Sequence, residues 1–257
     1  MNPLSKVFTI IETVVSRQNK GATYSEITRE SDLPKSSVHR ILKDLTSLDY
    51  FNYDPATKRY FGSLRFAALG AQVMANFKLK DYIHPFLLEL QHDTQHTANL
   101  GVLDGTQGVF VDKIESRDFG IKLFSAIGKP FPLHCTSLGK ILLAFSPAST
   151  LEKLLEQPLK AETEKTITSP EDLRKELSRI VEQGYAVDDE EITRGIMCVA
   201  GPIFDYEQHL LGAISIAFPA YLKHDRTIDP EISAIKKYAA SISKSLGGRH
   251  TAVSSEP

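Results

Sequence analysis

The segment "LPKSSVHRILKDL", residues 33–45, alternates apolar and basic side chains at the spacing of a helix. At about 100° per residue, the apolar positions fall on one third of the circumference and the polar positions lie opposite. Short polar groups near a helix start can approach phosphates or base edges, and Arg40 could bind guanine through two hydrogen bonds. Plain solvation would suit the same face. The apolar positions are Val38, Ile41, Leu42, Leu45 and Leu48, and the polar ones are Ser36, His39, Arg40, Lys43 and Ser47.

The residues before this segment favour DNA contact over solvation. An apolar stripe predicts a first helix over residues 3–16, with Asn2 as its N-cap. Thr23 and Glu26 have the spacing of a capping box, which predicts a short helix from about residue 24 to 30. Pro34 ends that helix and suits the first turn of the next. This is the helix-turn-helix order, in which the second helix enters the major groove. The stripe of the first helix comprises Leu4, Val7, Phe8, Ile11, Val14 and Val15.

The residues that follow predict a wing. "YFNYDPATKRYFG", residues 50–62, indicates two short strands around the Asp54-Pro55 turn, with cationic residues near the tip. The aromatic residues Phe51, Tyr53 and Tyr60 could simply cover the three-helix core, but a covering role does not require basic residues at the tip. We therefore predict DNA contacts from Lys35, Ser36, Ser37, His39, Arg40, Lys43, Lys58 and Arg59.

A further helix connects this region to the rest of the chain. "SLRFAALGAQVMANF", residues 63–77, carries an apolar stripe and small residues that allow close helix approach. The stripe could pack on its own domain or on a second chain. Its members are Phe66, Leu69, Val73 and Phe77.

The remaining sequence predicts an α+β domain. A helix begins near residue 81, and Asp104-Gly105 lies between two alternating stretches, which is a strong hairpin signal. Hairpin-joined strands with interspersed helices indicate an antiparallel sheet. The apolar side chains of the helix near residue 81 are Ile83, Phe86, Leu87 and Leu90. Further strands are predicted at 122–126, 199–204 and 210–218, and helices at 138–145, 171–183 and 231–246.

Two places in this domain could bind a ligand. Thr136 and Ser137 precede a helix, so their hydroxyls and the free amides of the first turn suit a carboxylate or phosphate. Plain N-capping explains the same residues. In "DDEE", residues 188–191, four consecutive carboxylates cannot all face one centre, so we expect most of them to be solvated. Asp188 alone could hold a hydroxyl or amide of a ligand, or cap a turn.

Composition narrows the classes of protein. The 257 residues are 42% hydrophobic and 24% charged, with a formal charge of −2. Residues 1–62 carry nine Lys and Arg against seven Asp and Glu, a net charge of +2, which leaves −4 for the remainder. Cys135 and Cys198 lie far apart, which argues against a disulfide framework or a Cys-rich zinc site and favours the cytoplasm. No segment has the length and hydropathy of a membrane span.

Catalytic motifs are not apparent. His134 and Cys135 are adjacent, so on an extended chain their side chains point to opposite sides. The sequence contains neither HExxH nor G-x-S-x-G. We predict that the protein is not an enzyme and has no cofactor and no metal ion.

Four segments together resemble the IclR family of bacterial transcription regulators. They are "LPKSSVHRILKDL" (33–45), "YFNYDPATKRYFGSLRFAALG" (50–70), "GKPFPLHCTSLGKILLAF" (128–145) and "GYAVDDEEITRGIMCVAGPIFD" (184–205). The resemblance implies a winged helix-turn-helix, a linker helix that takes part in dimerisation and a GAF-like effector-binding domain. It also implies an effector pocket at Ser137, Leu138, Asp188, Ile196 and Cys198, to which the helix start adds Thr136.

The resulting prediction is an α+β protein with four regions. They are a winged helix-turn-helix DNA-binding domain (1–63), a linker helix (64–80), an effector-binding domain with an antiparallel sheet (81–248) and a flexible tail (249–257). The expected partners are double-stranded operator DNA, a small carboxylate effector and further copies of the chain in a homodimer or tetramer. Two other interpretations stay open: an enzyme fused to an unrelated head, and an adaptor whose winged helix binds protein.

Overall fold

A computed structural model of the chain describes residues 2–75, 78–116, 125–222 and 227–248, and the side chains of 73–75 are not described. The contacts divide the chain into two compact units, Met1–Lys78 and Leu79–Pro257. Each unit has a buried apolar core of its own, as a domain requires. The four regions predicted from the sequence stay a proposal, and the predicted tail lies outside the described residues.

The first unit is a three-helix cluster with a small sheet and a fourth helix. Its antiparallel sheet has the strand order β1-β3-β2. The side chain of Asn2 accepts the Ser5 amide at 2.9 Å, and Thr23 and Glu26 form both halves of a capping box, so both predicted helix starts are confirmed. The helices are α1 (Pro3–Val15), α2 (Tyr24–Ser31), α3 (Lys35–Ser47) and α4 (Leu64–Ala75); the strands are β1 (Ala22–Thr23), β2 (Phe51–Asp54) and β3 (Arg59–Gly62).

The core of the first unit corrects two predictions about which apolar side chains are buried. In α1, Leu4 and Phe8 are 69% and 60% exposed, whereas Ile10, outside the predicted stripe, is fully buried. This helix is apolar on more than one side, and its neighbours in the unit cover only the side that carries Ile10 and Val14. Leu48 is 55% exposed because α3 ends at Ser47 and the chain leaves the helical path. The buried residues are Ile10, Val14, Ala22, Ile27, Leu33, Val38, Ile41, Leu42, Leu45 and Phe51.

The start of α4 packs on the wing. The ring of Phe66 lies 5.2 Å from that of Tyr50 and 6.2 Å from that of Phe51, measured between ring centroids. Leu69 is half exposed. The predicted stripe continues to Val73 and Phe77, whose side chains lie outside the described residues. This packing favours the helix's own unit for Phe66 and leaves the rest of the stripe untested.

The second unit confirms the predicted α+β architecture. Its sheet has the strand order β6-β5-β4-β9-β8-β7, and all neighbouring strands are antiparallel. The strands are β4 (Thr97–Asp104), β5 (Gln107–Ile114), β6 (Pro130–Phe131), β7 (Ala186–Asp189), β8 (Ile196–Phe204) and β9 (Leu210–Pro219). The helices are α5 (Lys78–Thr94), α6 (Ser137–Ala144), α7 (Ala148–Leu155), α8 (Pro170–Gln183) and α9 (Asp229–Ser245).

Most predicted elements of this unit are present within two or three residues. The hairpin exists, but Asp104 pairs with Gln107, so its loop is Gly105-Thr106, one residue later than predicted. Gly105 has φ +60, as the first loop residue of a type II′ turn requires. The predicted strand at 122–126 lies largely outside the described residues, and no strand is assigned at its described end, 125–126. The sequence interpretation did not include α7, β6 and β7, which are all short.

Helices cover both faces of this sheet. Ala200 and Ala213 pack with α6 residues such as Leu142 in one buried cluster. On the next position of β8, a side chain at Gly201 would meet Ile235 of α9 at 2.9 Å. Since successive residues of a strand face opposite sides, α6 covers one face and α9 the other.

Candidate functional site

The outward face of α3 is polar and open to solvent. Val38, Ile41, Leu42 and Leu45 are buried, and Ser37 is half-buried. The remaining predicted DNA-contact residues of this helix are exposed: Lys35, Ser36, His39, Arg40 and Lys43. The structure thus brings the predicted residues of α3 together on one accessible surface.

The start of α3 is positioned by the turn and by α2. Asp32 adopts the left-handed conformation, φ 50, which reverses the chain between the two helices. The Tyr24 hydroxyl donates to the carbonyl oxygen of Lys35 at 2.8 Å, and the Tyr24 ring meets His39 edge-on. Pro34 is the N-cap, and no described side chain caps the helix. The first-turn amides of such a helix suit an anion such as a phosphate group.

The two basic residues of the wing differ. Lys58 is exposed in the turn, where the Asp54 carboxylate accepts from the Ala56 amide at 2.9 Å. The Arg59 guanidinium donates instead to the Gly21 carbonyl oxygen at 2.9 Å and to the Glu26 carboxylate at 3.3 Å. Arg59 therefore holds the wing to the start of α2, a role that the sequence interpretation missed. A DNA contact from Arg59 stays a prediction; both of these bonds use Nη1, and a guanidinium has further donors.

The second unit contains a cavity of about 280 Å³. All six residues predicted to bind an effector line it: Thr136, Ser137, Leu138, Asp188, Ile196 and Cys198. The remaining lining residues are Asn99, Phe110, Ser125, Ile192, Thr193, Arg194, Gly195, Ser215 and Ala217. Sequence reasoning missed this second set, although Asn99 and Ser215 each interrupt an apolar strand sequence, which is the signal that could have found them.

One side of the cavity is the start of α6. The Thr136 hydroxyl accepts from the Gly139 amide at 3.0 Å and donates to the Pro132 carbonyl oxygen at 2.8 Å. Thr136 is therefore an N-cap, the simpler of its two interpretations. Ser137 and Leu138 follow it in the first turn, are buried and line the cavity.

The opposite side is the sheet. Asn99 pairs with Ser215, Cys198 pairs with Ala217, and Cys198 also pairs with Asp188. Directly paired residues share a face, and Ser215 and Ala217 are two residues apart on one strand. The register therefore places the side chains of all five residues on the cavity face of the sheet.

Asp188 caps a turn and also lines the cavity, and its contact with a ligand stays a prediction. Its Oδ1 atom accepts the Glu191 amide at 2.8 Å, which caps the turn after β7. Its Oδ2 atom is buried and has no hydrogen-bond partner among the described residues. Burial, followed by the charge of Glu191, raises the pKa of Asp188 to about 7. The side chain is thus available to a ligand as a carboxylate or as a carboxylic acid.

The expectation that the other residues of "DDEE" are solvated is wrong for Glu191. Glu191 is buried, and burial raises its pKa. Lys140, which is 1% exposed, donates to Glu191 at 2.5 Å and to Glu176 at 3.2 Å. Asp189 and Glu190 are half-buried and pair with Lys165. These lysines, distant in sequence, hold the acidic segment against the domain.

The thiols are poorly suited to nucleophilic chemistry. Burial, followed by the charge of Asp188, raises the pKa of both Cys135 and Cys198. A thiol with a raised pKa carries little of the reactive thiolate at neutral pH. Cys198 thus acts as a small lining residue of the cavity.

Among the described helices, none has the length and hydropathy to span a membrane.

Family models match both units of the chain. Residues 3–55 match the IclR helix-turn-helix domain, and residues 71–244 match the bacterial transcriptional regulator IclR C-terminal domain. The second match includes the cavity residues of α6, β7 and β8.

Curated relatives match over nearly the whole chain. The transcriptional regulator KdgR of Escherichia coli is 32% identical over 94% of this chain and 91% of its own length. The regulator XynR of the same species is 31% identical over 87% of this chain and 88% of its own. The transcriptional repressor IclR of Escherichia coli is 27% identical over 91% and 86%.

Solved structures share the fold. The IclR structure of Thermotoga maritima has a TM-score of 0.72 and 33% identity, and the match covers 96% of this chain and 99% of that one. An IclR homologue from Microbacterium hydrocarbonoxydans, complexed with 4-hydroxybenzoate, has a TM-score of 0.78 at 22% identity, covering 95% and 99%. At that identity the second match shows the fold alone.

The sequence motifs, the fold and the relatives indicate the same family for both units. The relatives are transcription regulators, which confirms that the chain is not an enzyme. The chain belongs to the IclR family of bacterial transcription regulators, with a DNA-binding helix-turn-helix domain and a C-terminal effector domain.

Proposed function

We propose that the protein binds operator DNA through the exposed face of α3 and the wing, and that a small carboxylate in the cavity changes its affinity for that DNA. The proposal of DNA binding rests on one observation, the exposed basic face of α3, whose start is positioned by α2. We assign base contacts to Arg40, His39 and the serines 36 and 37, because these side chains can hydrogen-bond base edges. Lys35, Lys43, Lys58 and Arg59 contact phosphates.

The proposal of a carboxylate effector rests on the start of α6. The first-turn amides of a helix and the partial positive charge of its N-terminus favour an anion. Ser137, buried beside the cavity, adds a hydroxyl donor. Thr136, Leu138, Asp188, Ile196 and Cys198 complete the proposed effector site.

Regulation requires that the effector favour one arrangement of the DNA-reading heads over another. A ligand shifts such an equilibrium only through its difference in affinity for the two states. We propose that the chain acts in the cytoplasm as a homodimer or tetramer, since a two-fold dimer presents two reading helices to a pseudopalindromic site.

Selection of bound duplexes from a random-sequence pool tests the DNA half. The full chain should enrich one motif, with two half-sites spaced by about one helical turn or a multiple of it. An adaptor that binds protein would enrich no sequence, and that outcome would contradict the proposal.

A thermal-shift panel tests the effector half. Small carboxylates, including 4-hydroxybenzoate because a relative of the same fold was crystallised with it, should raise the melting temperature by mass action. A panel in which only neutral compounds raise it would contradict the carboxylate assignment.

A further inference from the structure

The residues that line the cavity include polar atoms without partners among the described residues. Asn99 is 3% exposed, and its Oδ1 atom has no hydrogen-bond partner in the described part of the chain. The same holds for Oδ2 of Asp188 and Oγ of Ser125, both buried. The contact from Asn99 Nδ2 to the Ser215 hydroxyl is long, at 3.5 Å. Three buried oxygen atoms without a partner among the described residues therefore belong to residues that line a single cavity.

Such atoms are costly unless something in the cavity binds them. Leaving a buried polar atom without a hydrogen bond costs about 1–3 kcal/mol, and most buried polar groups in proteins are paired. Asn99, Ser125 and Asp188 come from separate parts of the sequence, and the turn that Asp188 caps uses its Oδ1 atom rather than Oδ2. A polar occupant of the cavity would supply hydrogen bonds to these atoms.

The chemistry of these atoms restricts the occupant. A carboxamide oxygen only accepts hydrogen bonds, and so does an ionised carboxylate oxygen, so Asn99 Oδ1 and Asp188 Oδ2 call for a donor. The amide group of Asn99 and the hydroxyls of Ser125 and Ser215 belong to residues of the same cavity and can donate. A ligand hydroxyl both donates and accepts, whereas an ammonium group only donates and would leave those groups unmatched.

The two sides of the cavity therefore have complementary chemistry. The start of α6 offers amide and hydroxyl donors that suit a carboxylate. The sheet residues and Ser125 offer both hydrogen-bond donors and acceptors, which suit hydroxyls. We propose that the cavity selects a hydroxycarboxylate, whose hydroxyl groups bind Asn99, Asp188 and the serines 125 and 215 while its carboxylate faces α6. This inference rests on the proposed function in taking the cavity as the effector site, and it adds both the ligand class and the residues that read it.

A set of three-carbon compounds tests the inference on the full chain. Glycerate, propionate, β-alanine and glycerol differ mainly in whether they carry hydroxyl, carboxylate or ammonium groups. Calorimetric titration should show glycerate binding at least about tenfold more tightly than propionate, the equivalent of about 1.4 kcal/mol. The pair 4-hydroxybenzoate and benzoate repeats the comparison on a larger skeleton.

Single substitutions assign the effect to the sheet. Asn99→Ala and Ser215→Ala should each bring glycerate and propionate closer to equal affinity, because each removes a hydroxyl partner while α6 is unchanged. The matched control is Ser31→Ala, because Ser31 in the first unit also has a buried hydroxyl without a partner among the described residues. If Asn99→Ala does not fold, Ser215→Ala provides the test.

The remaining outcomes separate the two proposals. Equal affinity of glycerate and propionate would overturn the hydroxyl inference and leave the carboxylate proposal standing. Glycerol binding as tightly as glycerate would overturn the carboxylate proposal and leave the hydroxyl contacts standing. Tightest binding by β-alanine, or no binding of either hydroxylated acid at millimolar concentration, would overturn the inference.

Discussion

The polar face of α3 and the polar lining of the cavity differ in how the chain makes them. The first comes from a few consecutive turns of one helix, is exposed and carries net positive charge. The second comes from β4, β7, β9 and α6, which are distant in sequence, and is buried. Exposed charges keep their hydration and act with strong salt dependence. Buried polar groups lose hydration and must find a partner, so they act through specific pairing.

Replacing one buried lysine and one exposed lysine gives the largest expected difference in stability. Lys140→Met should lower the free energy of unfolding by about 3–5 kcal/mol, because it leaves Glu191 and Glu176 without their buried cation. Lys175→Met removes an exposed lysine that pairs with Glu171 on α8 and should change it little. Urea denaturation followed by circular dichroism measures both variants. Equal effects would contradict the distinction between buried and exposed charge.

The pH dependence of stability gives the next largest effect. With a pKa of about 7 against an ordinary 3.8, Asp188 keeps its proton in the folded protein between these values and loses it on unfolding. The free energy of unfolding therefore falls as pH rises through this window, by about 2.6 kcal/mol between pH 5 and 8. Asp188→Asn should flatten the fall, leaving the same-direction contribution of Glu191, whose pKa is also raised. An unchanged slope in Asp188→Asn would argue against a titrating Asp188.

The wing gives the smallest effect and separates its two basic residues. Lys58→Ala should weaken binding to all duplexes by a similar small factor and reduce the slope of log affinity against log salt by about 1. Arg59→Ala should also lower the melting temperature, because Arg59 binds Gly21 and Glu26. Anisotropy titrations at several salt concentrations, together with thermal melts, check both. A similar loss of melting temperature in Lys58→Ala would contradict the separation.

The helix-turn-helix was predictable because its signals are local. The capping box at Thr23 and Glu26, the break at Pro34 and the periodicity of α3 all lie within one or two helical turns. The errors arose where packing decides: α1 is apolar on two sides, and the sequence does not say that Ile10 faces the core while Phe8 does not. The bonds of Arg59 to Gly21 and Glu26 were not predictable, because they depend on the tertiary fold, and its DNA contact stays a prediction.

The cavity was predictable only in part. The start of α6 and Asp188 followed from a helix signal and from family resemblance. Asn99 and Ser215 could not be connected, because they are 116 positions apart and meet only through the register of β4 and β9. The burial of Glu191 likewise depends on Lys140, which lies on a different element.

The contribution of Arg40 to sequence discrimination tests most directly whether α3 reads DNA. The measurement is the ratio of affinities for the selected duplex and a scrambled duplex at one salt concentration, for the wild type, Arg40→Ala and the control Arg29→Ala on α2. We expect Arg40→Ala to reduce this discrimination by about 1–3 kcal/mol, with little change in binding to the scrambled duplex, and Arg29→Ala to preserve it. An unchanged ratio for Arg40→Ala would contradict the assignment of α3 as the helix that reads DNA.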